Sequence, residues 1–227
     1  MKRRNLRTDQ RGLTLIEVLV VLGIIAAVAG IGIQVLNGVN DDTEESLVRV
    51  EMREVTSAIQ RFRRDTGYWP KQGPFDGADT NDPDLAEPAN LAQLFLQPQT
   101  SLNADILTFD VPSGTGWNGP YLAELDALNV RVGDDMDASG TGDPTAGTEV
   151  VVRGIGDPFQ AAPVGTVFEW INGAGVQTAQ LGRPYFYFID GSNVTGCAAP
   201  CLVSAGPDGQ YNAGGGDDIV VNIGALN

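Results

Sequence analysis

The apolar positions change their spacing several times along the chain, and each change predicts a different element. Residues 13–36 read LTLIEVLVVLGIIAAVAGIGIQVL, apolar on every side with one charge. As a helix this stretch is about 36 Å long, enough for a hydrocarbon core of about 30 Å. Over 41–65 the apolar residues thin out to Leu47, Val50, Val55, Ala58, Ile59 and Phe62, which approximates one helical face, with Glu51, Arg53, Glu54, Arg61 and Arg63 elsewhere. No strong breaker interrupts the pattern before Gly67, so the spacing predicts one helix from about Leu13 to Asp65. Its first half suits lipid, and its second half suits packing against a domain.

Beyond Gly67, Pro, Gly, Asp and Asn become frequent and helical periodicity fades, apart from a short helix expected at Leu91–Leu96. Short β-branched and aromatic runs predict strands at Glu149–Arg153, Val167–Ile171, Tyr185–Ile189 and Ile219–Ile223. The expected architecture is α+β: a long N-terminal helix, membrane-spanning in its first half, packed on a small antiparallel sheet. Two acidic, glycine-rich stretches, 72–88 and 132–148, read as long surface loops.

Charge adds a topology. Five basic residues (Lys2, Arg3, Arg4, Arg7 and Arg11) stand against Asp9 before the apolar run, so the first twelve residues carry +4 and the remainder −19 of a chain at −15. By the positive-inside rule the N-terminus stays cytoplasmic and the C-terminal part faces outward. An acidic surface of this kind repels nucleic acid. It can hold a divalent cation only where carboxylates converge. The chain has no histidine, which removes the commonest general base and the favoured zinc ligand. No G-x-S-x-G nucleophile motif is present either, so a membrane-anchored enzyme is disfavoured.

The lone charge in the span is Glu17. A carboxylate in lipid is costly, so either it lies close enough to the interface to snorkel, or it meets a positive group in an assembled state. The run Arg11-Gly12-Leu13-Thr14-Leu15-Ile16-Glu17 resembles the processing site of type IV prepilins and pseudopilins. The resemblance implies a leader of residues 1–12, cut between Gly12 and Leu13 by a prepilin peptidase that methylates the new terminus. It implies a transmembrane half at 13–36, a periplasmic half of the helix at 37–66 and a pilin-like globular head at 67–227. It also implies that Glu17, the fifth mature residue, pairs with the N-terminal amine of a neighbouring subunit. Gln34 stands where many members of that family have a proline.

Landmarks in the head are similar to the major (G-type) pseudopilin of type II secretion systems. They are Thr66–Pro70, Trp117–Leu122, Asp157–Gln160, Tyr185–Tyr187, Ser204–Gly209 and Gly214–Ile219, in that order. The stretches before Trp117 and between Leu122 and Asp157 are longer than that pattern, and Phe159-Gln160 replaces its usual Trp-Gly. The resemblance implies an inner-membrane protein that assembles with itself into a periplasmic pseudopilus. Minor pseudopilins and an inner-membrane secretion platform would be its further partners. The alternative within the superfamily is a pilin or minor pilin of a surface filament.

Asp208, Asp217 and Asp218 crowd one glycine-rich loop, which reads either as a solvated acidic turn or as a calcium site. The resemblance implies calcium, held by Asp208, Asp217 and Asp218 with the backbone of Ala205 among the ligands. Asp135-x-Asp137-x-Ser139-Gly140-x-x-Asp143 begins like an EF-hand loop, but its twelfth position is Ala146, so a disordered acidic loop is expected there rather than a metal site. Cys197 and Cys201 enclose Ala-Ala-Pro, and outside the cytoplasm they are expected to form a disulfide that staples a turn.

Overall fold

The computed structural model describes residues 15–76, 84–98, 108–123, 128–160, 168–170 and 184–224, with the backbone alone at 26–42, 128, 160 and 168–170. The chain divides into two compact units, Met1–Thr43 and Glu44–Asn227. Helix α1 runs over Leu15–Thr66.

In the first unit, the described side chains of α1 are exposed on all sides. Leu15, Ile16, Val18, Leu19, Val20, Val21, Leu22, Ile24 and Ile25 all face outward. Glu17 stands in the first turn, where a negative charge favours the helix dipole. A helix apolar all round needs lipid or neighbouring helices to cover it. Among the described residues no helix is long and apolar enough to cross a membrane. The predicted span 13–36 lies largely outside the side chains described.

In the second unit, the buried face of α1 is Val48, Met52, Val55, Ala58, Ile59 and Phe62. Spacings of three and four hold these on one stripe. The expected stripe was therefore wrong at its start, because Leu47 and Val50 fall off that face and are exposed. The helix ends where Gly67, at φ +82°, donates its N–H to the Arg63 carbonyl at 2.8 Å. This left-handed cap suits glycine, and Arg63 and Arg64 in the last turn offset the negative end of the helix dipole.

Six strands follow: β1 (Leu128–Gly133), β2 (Glu149–Gly154), β3 (Phe168–Trp170), β4 (Phe186–Phe188), β5 (Cys201–Ser204) and β6 (Ile219–Asn222). They form two sheets, β2-β1-β3 and β4-β5-β6, rather than the single antiparallel sheet expected. β1 pairs antiparallel with β2 but parallel with β3. The sheet β4-β5-β6 is antiparallel throughout, in the register Tyr187↔Leu202↔Val221 and Phe186↔Val203↔Val220.

That register divides the core in two. Tyr185, Tyr187, Leu202, Ile219 and Ile223 join Met52, Ile59 and Phe62 of α1 in one cluster. Phe186, Phe188, Cys201 and Val203 join Val130, Val132, Val152 and Met136 in the other. Alternate residues of a strand point to opposite faces, so β4-β5-β6 is a middle layer with α1 on one side and β1 and β2 on the other. Burial on both sides explains why β4 and the first three residues of β5 are continuously apolar or aromatic.

The expected helix at Leu91–Leu96 is instead a single 3-10 turn, Ala92–Leu94. The carbonyls that would extend it are taken elsewhere. Trp117 Nε1 donates to Gln93 O at 2.9 Å, and Tyr121 N donates to Leu94 O at 2.8 Å. The Trp117–Leu122 segment is thereby tied to the turn beside the end of α1, with Trp117 and Tyr121 in edge contact at 5.8 Å. Of the acidic stretch 72–88, residues 77–83 lie outside the described residues.

Candidate functional site

Gly12 and Leu13, the expected processing junction, lie outside the described residues. The expected calcium loop is described throughout. It is the connection between β5 and β6, closed at its base by the Ser204↔Ile219 pair. Ser204 is fully buried, and its hydroxyl donates to Asp157 Oδ2 while accepting from Gly206 N at 3.2 Å. Asp157 is itself buried and caps the Pro158–Gln160 turn by accepting Phe159 N at 3.0 Å. Two segments that look unrelated in sequence are thus one hydrogen-bonded anchor. The sequence marked both as landmarks but gave no sign that they touch.

Above this anchor the aspartates organise the backbone. Asp217 Oδ2 accepts Asp208 N at 2.9 Å, and Asp208 Oδ1 accepts Gln210 N at 2.7 Å. Asp218 Oδ2 accepts both Asn212 N at 2.8 Å and Gly214 N at 2.9 Å. Gly206 has φ +63°, and a Cβ there would come within 2.3 Å of the Asp217 carbonyl oxygen, so only glycine fits. Ala205 is fully buried beside it.

Asp218 is the electrostatic oddity. Its Oδ1 is buried and has no hydrogen-bond partner among the described residues. Burial pushes its carboxyl up to about 6, against the lowering effect of the Asn212 and Gly214 N–H groups, and the negative charges of Asp217 and Asp208 add to the rise. A desolvated carboxylate oxygen among like charges lacks a cation or a proton. Among the described residues, however, no three Asp, Glu, Cys or His side chains converge on one point. A cation here would draw on Asp218 Oδ1, backbone carbonyls and water rather than on a cage of carboxylates.

The second acidic loop, 134–148, is not the disordered segment expected but an ordered set of turns, because its aspartates accept backbone and hydroxyl donors. Asp137 Oδ1 accepts Ser139 N at 2.9 Å, Ser139 Oγ at 2.6 Å and Thr141 N at 3.1 Å. These bonds, the Ser139 hydroxyl first, hold its carboxyl below the usual range. Asp143 Oδ1 accepts from Thr145, Asp134 Oδ1 accepts Thr148 N, and Asp135 Oδ2 accepts Asp143 N. The carboxylates that an EF-hand would turn inward are used as turn acceptors, and all four remain exposed. Cys197 and Cys201 form a disulfide with Cα atoms 5.7 Å apart, placed between the Val194 turn and β5.

The architecture is that of an α+β protein with an extended N-terminal helix and small sheets, consistent with a pilin-like fold. The family model described as the prokaryotic N-terminal methylation motif matches residues 7–33 and supports a type IV pilin-like protein with prepilin processing. Neither a curated protein nor a solved structure matches the chain.

Proposed function

We propose that this chain is a structural subunit of a type II secretion pseudopilus, anchored in the bacterial inner membrane with its head in the periplasm. Subunits assemble into a periplasmic filament that helps export folded proteins. The observation that carries the reading is the methylation motif over residues 7–33, with Gly12-Leu13 at its junction and Glu17 five residues into the mature chain. The exposed start of α1, apolar apart from Glu17, supports it, since such a surface must be covered by lipid before assembly and by neighbouring helices after it. Glu17 would then meet the methylated amine of the next subunit. The prepilin peptidase acts before assembly, and minor pseudopilins and the secretion platform are the further partners. The chain's role is assembly and not catalysis.

Calcium is the proposed ligand of the β5–β6 loop. Asp218 Oδ1 would hold it with backbone carbonyls, that of Ala205 among them, and water, while the nearby charges of Asp208 and Asp217 would favour the ion, which would stabilise the folded loop by neutralising them. The partnerless Asp218 Oδ1 supports this reading. A second reading, a pilin or minor pilin of a surface filament, is favoured by the disulfide near the C-terminal strands.

Intact-mass measurement of the membrane-extracted chain is expected to show an N-methylated start at Leu13. Retention of Met1, or a cut after residue 36, would refute the reading. Deleting the gene is expected to stop export of folded proteins without removing any surface filament. Normal export with loss of an external filament would shift the assignment to the second reading.

A further inference from the structure

Beyond the basic N-terminal stretch, the densest group of basic residues lies near the end of α1. Beyond residue 71 only Arg131, Arg153 and Arg183 are basic, whereas Arg61, Arg63, Arg64 and Lys71 cluster where α1 ends. Two of them, Arg63 and Arg64, line a solvent-open cavity of about 390 Å³ together with Gln60, Trp69 and Ile223. The walls are fixed. Gln60 Nε2 donates to Ile223 O at 2.9 Å, and the Arg63 guanidinium stacks 4.0 Å from the centre of the Trp69 ring. The indole holds the guanidinium in place, and among the described residues the Arg63 side chain has no ion pair or hydrogen bond, which leaves its N–H groups for a carboxylate. Arg64 is paired only loosely with Asp65, at 3.5 Å, and stays largely exposed. Compensating a helix dipole needs basic residues in the last turn, but it does not need a cavity or a stacked tryptophan.

The opposite charge stands on the other side of the same unit. Asp134, Asp135, Asp137 and Asp143 are exposed on the 134–148 loop. That loop is held in place by Tyr211 Oη donating to Gly140 O at 2.9 Å, and by Asn193 N donating to Ser139 O at 3.0 Å. Met136, Val194 and Tyr211 pack with Phe186 and Phe188, on the face of β4-β5-β6 turned away from α1. The cavity wall Ile223 packs on the α1 face. The middle sheet therefore separates cavity and loop, and the loop of one chain cannot enter its own cavity.

We propose that the Arg63–Arg64–Trp69 cavity of one copy receives the aspartate loop 134–143 of the next copy, a head-to-tail contact between heads. Complementary patches on opposite faces make a heterologous interface, which propagates into an open filament unless the rotation closes a ring. Charge sets the register of such a contact and speeds encounter. The inference rests on the filament reading above and assigns the long segment after Leu122 a role in it.

The test uses the full-length chain expressed in its membrane, with chemical crosslinking between subunits and intact-mass analysis of processing. Arg63→Glu/Arg64→Glu is expected to lower crosslinked oligomers at least about tenfold while processing at Gly12-Leu13 continues. Asp135→Asn/Asp137→Asn, which keeps the turn acceptors, is expected to lower them in the same direction. Asp135→Lys, at the position with only a 3.3 Å turn bond, combined with the arginine reversal is expected to restore them to within about threefold of the parent. Oligomers indifferent to either single-patch change overturn the proposal and leave the filament reading standing. A combined variant as poor as the arginine reversal alone also overturns it, since the cavity then takes some other anion. A parent chain that is processed but forms no oligomers overturns both.

Discussion

Asp218→Asn is expected to stabilise the head when calcium is absent and to weaken it relative to the parent when calcium is present. The side chain keeps an oxygen for the Asn212 and Gly214 N–H groups but loses the charge that burial opposes. The rise of the carboxyl from 3.8 to about 6 sets an upper bound of about 3 kcal/mol against the ionised form. Solvent screening at this half-buried position reduces it to about 1–1.5 kcal/mol. In place of Oδ1, asparagine puts an N–H₂, which gains a partner only if carbonyl oxygens face that point, as they would in a cation site. The pH dependence has a definite sign. A raised folded value means the linked stabilisation is fully present below 3.8 and is lost as pH rises through about 6. The parent in chelator should therefore gain stability on acidification across that window, and the variant should lack that part of the gain. Glu87, pushed from 4.5 to about 7 chiefly by burial, contributes a slope of the same sign in both chains. Calcium at a hundredfold excess over its Kd adds about 2.7 kcal/mol to a chain that binds it, so the order of stabilities should reverse. The assay is urea unfolding of the detergent-solubilised chain, followed by the fluorescence of Trp69 and Trp117, which pack against the core. A variant less stable than the parent in chelator at pH 7.5, or an equal calcium response in both, would refute the reasoning.

Phe62→Ala should destabilise the head by about 3–5 kcal/mol in the same assay, because the ring is fully buried against Phe75 and Tyr121, whereas Leu47→Ala should change it by less than about 0.5 kcal/mol. Two neighbouring tyrosines should respond oppositely to removal of their hydroxyls. Tyr185→Phe loses a 3.0 Å bond to Glu51 and should cost about 1–2 kcal/mol, while Tyr187→Phe deletes a buried hydroxyl with no partner among the described residues and should be neutral or stabilising by up to about 1 kcal/mol. Glu17→Ala should leave the monomer inserted in the membrane but lower intersubunit crosslinking, and unchanged assembly would count against the pairing of Glu17 with a neighbouring amine.

Local rules made much of the head legible. The runs at Glu149–Arg153, Val167–Ile171, Tyr185–Ile189 and Ile219–Ile223 correspond to β2, β3, β4 and β6, because each concentrates β-branched or aromatic residues between turn signals. β5 is not legible in the sequence because Cys201-Leu202-Val203-Ser204 is short and follows the Cys-Ala-Ala-Pro turn, so its signal resembles a stapled loop. β1 is not legible either, because Asn129 and Arg131 interrupt its valines and glycine ends it. Both strands become strands through partners far away in sequence, which spacing alone does not report. The candidate loop was legible as a cluster of aspartates, since charge and glycine are visible in the chain. Its buried anchor was not, because the contact between Asp157 and Ser204 crosses 47 positions and depends on β5 lying next to the Pro158 turn.

The length of the chain between Leu122 and Asp157 also changes meaning once the middle sheet is seen. As a loop inserted into a smaller head, it would be removable at little cost. Yet Val130, Val132 and Val152 from this segment cover Phe186, Phe188, Cys201 and Val203, which are all buried by them and their neighbours. Without that cover, β4 and β5 would expose two phenylalanines and a valine on one face, and fully burying such side chains is worth about 1.5–3 kcal/mol each. The aromatic alternation of Tyr185, Phe186, Tyr187 and Phe188 therefore requires a layer on each side of the sheet. The tyrosines serve the helix side and the phenylalanines serve the β1 and β2 side. The extra sheet is thus part of the core, and the aspartate turns at 134–148 are the solvent-facing connection it needs between β1 and β2. An exposed connection mounted on a buried sheet can carry charge to the far side of the head without disturbing the packing around α1.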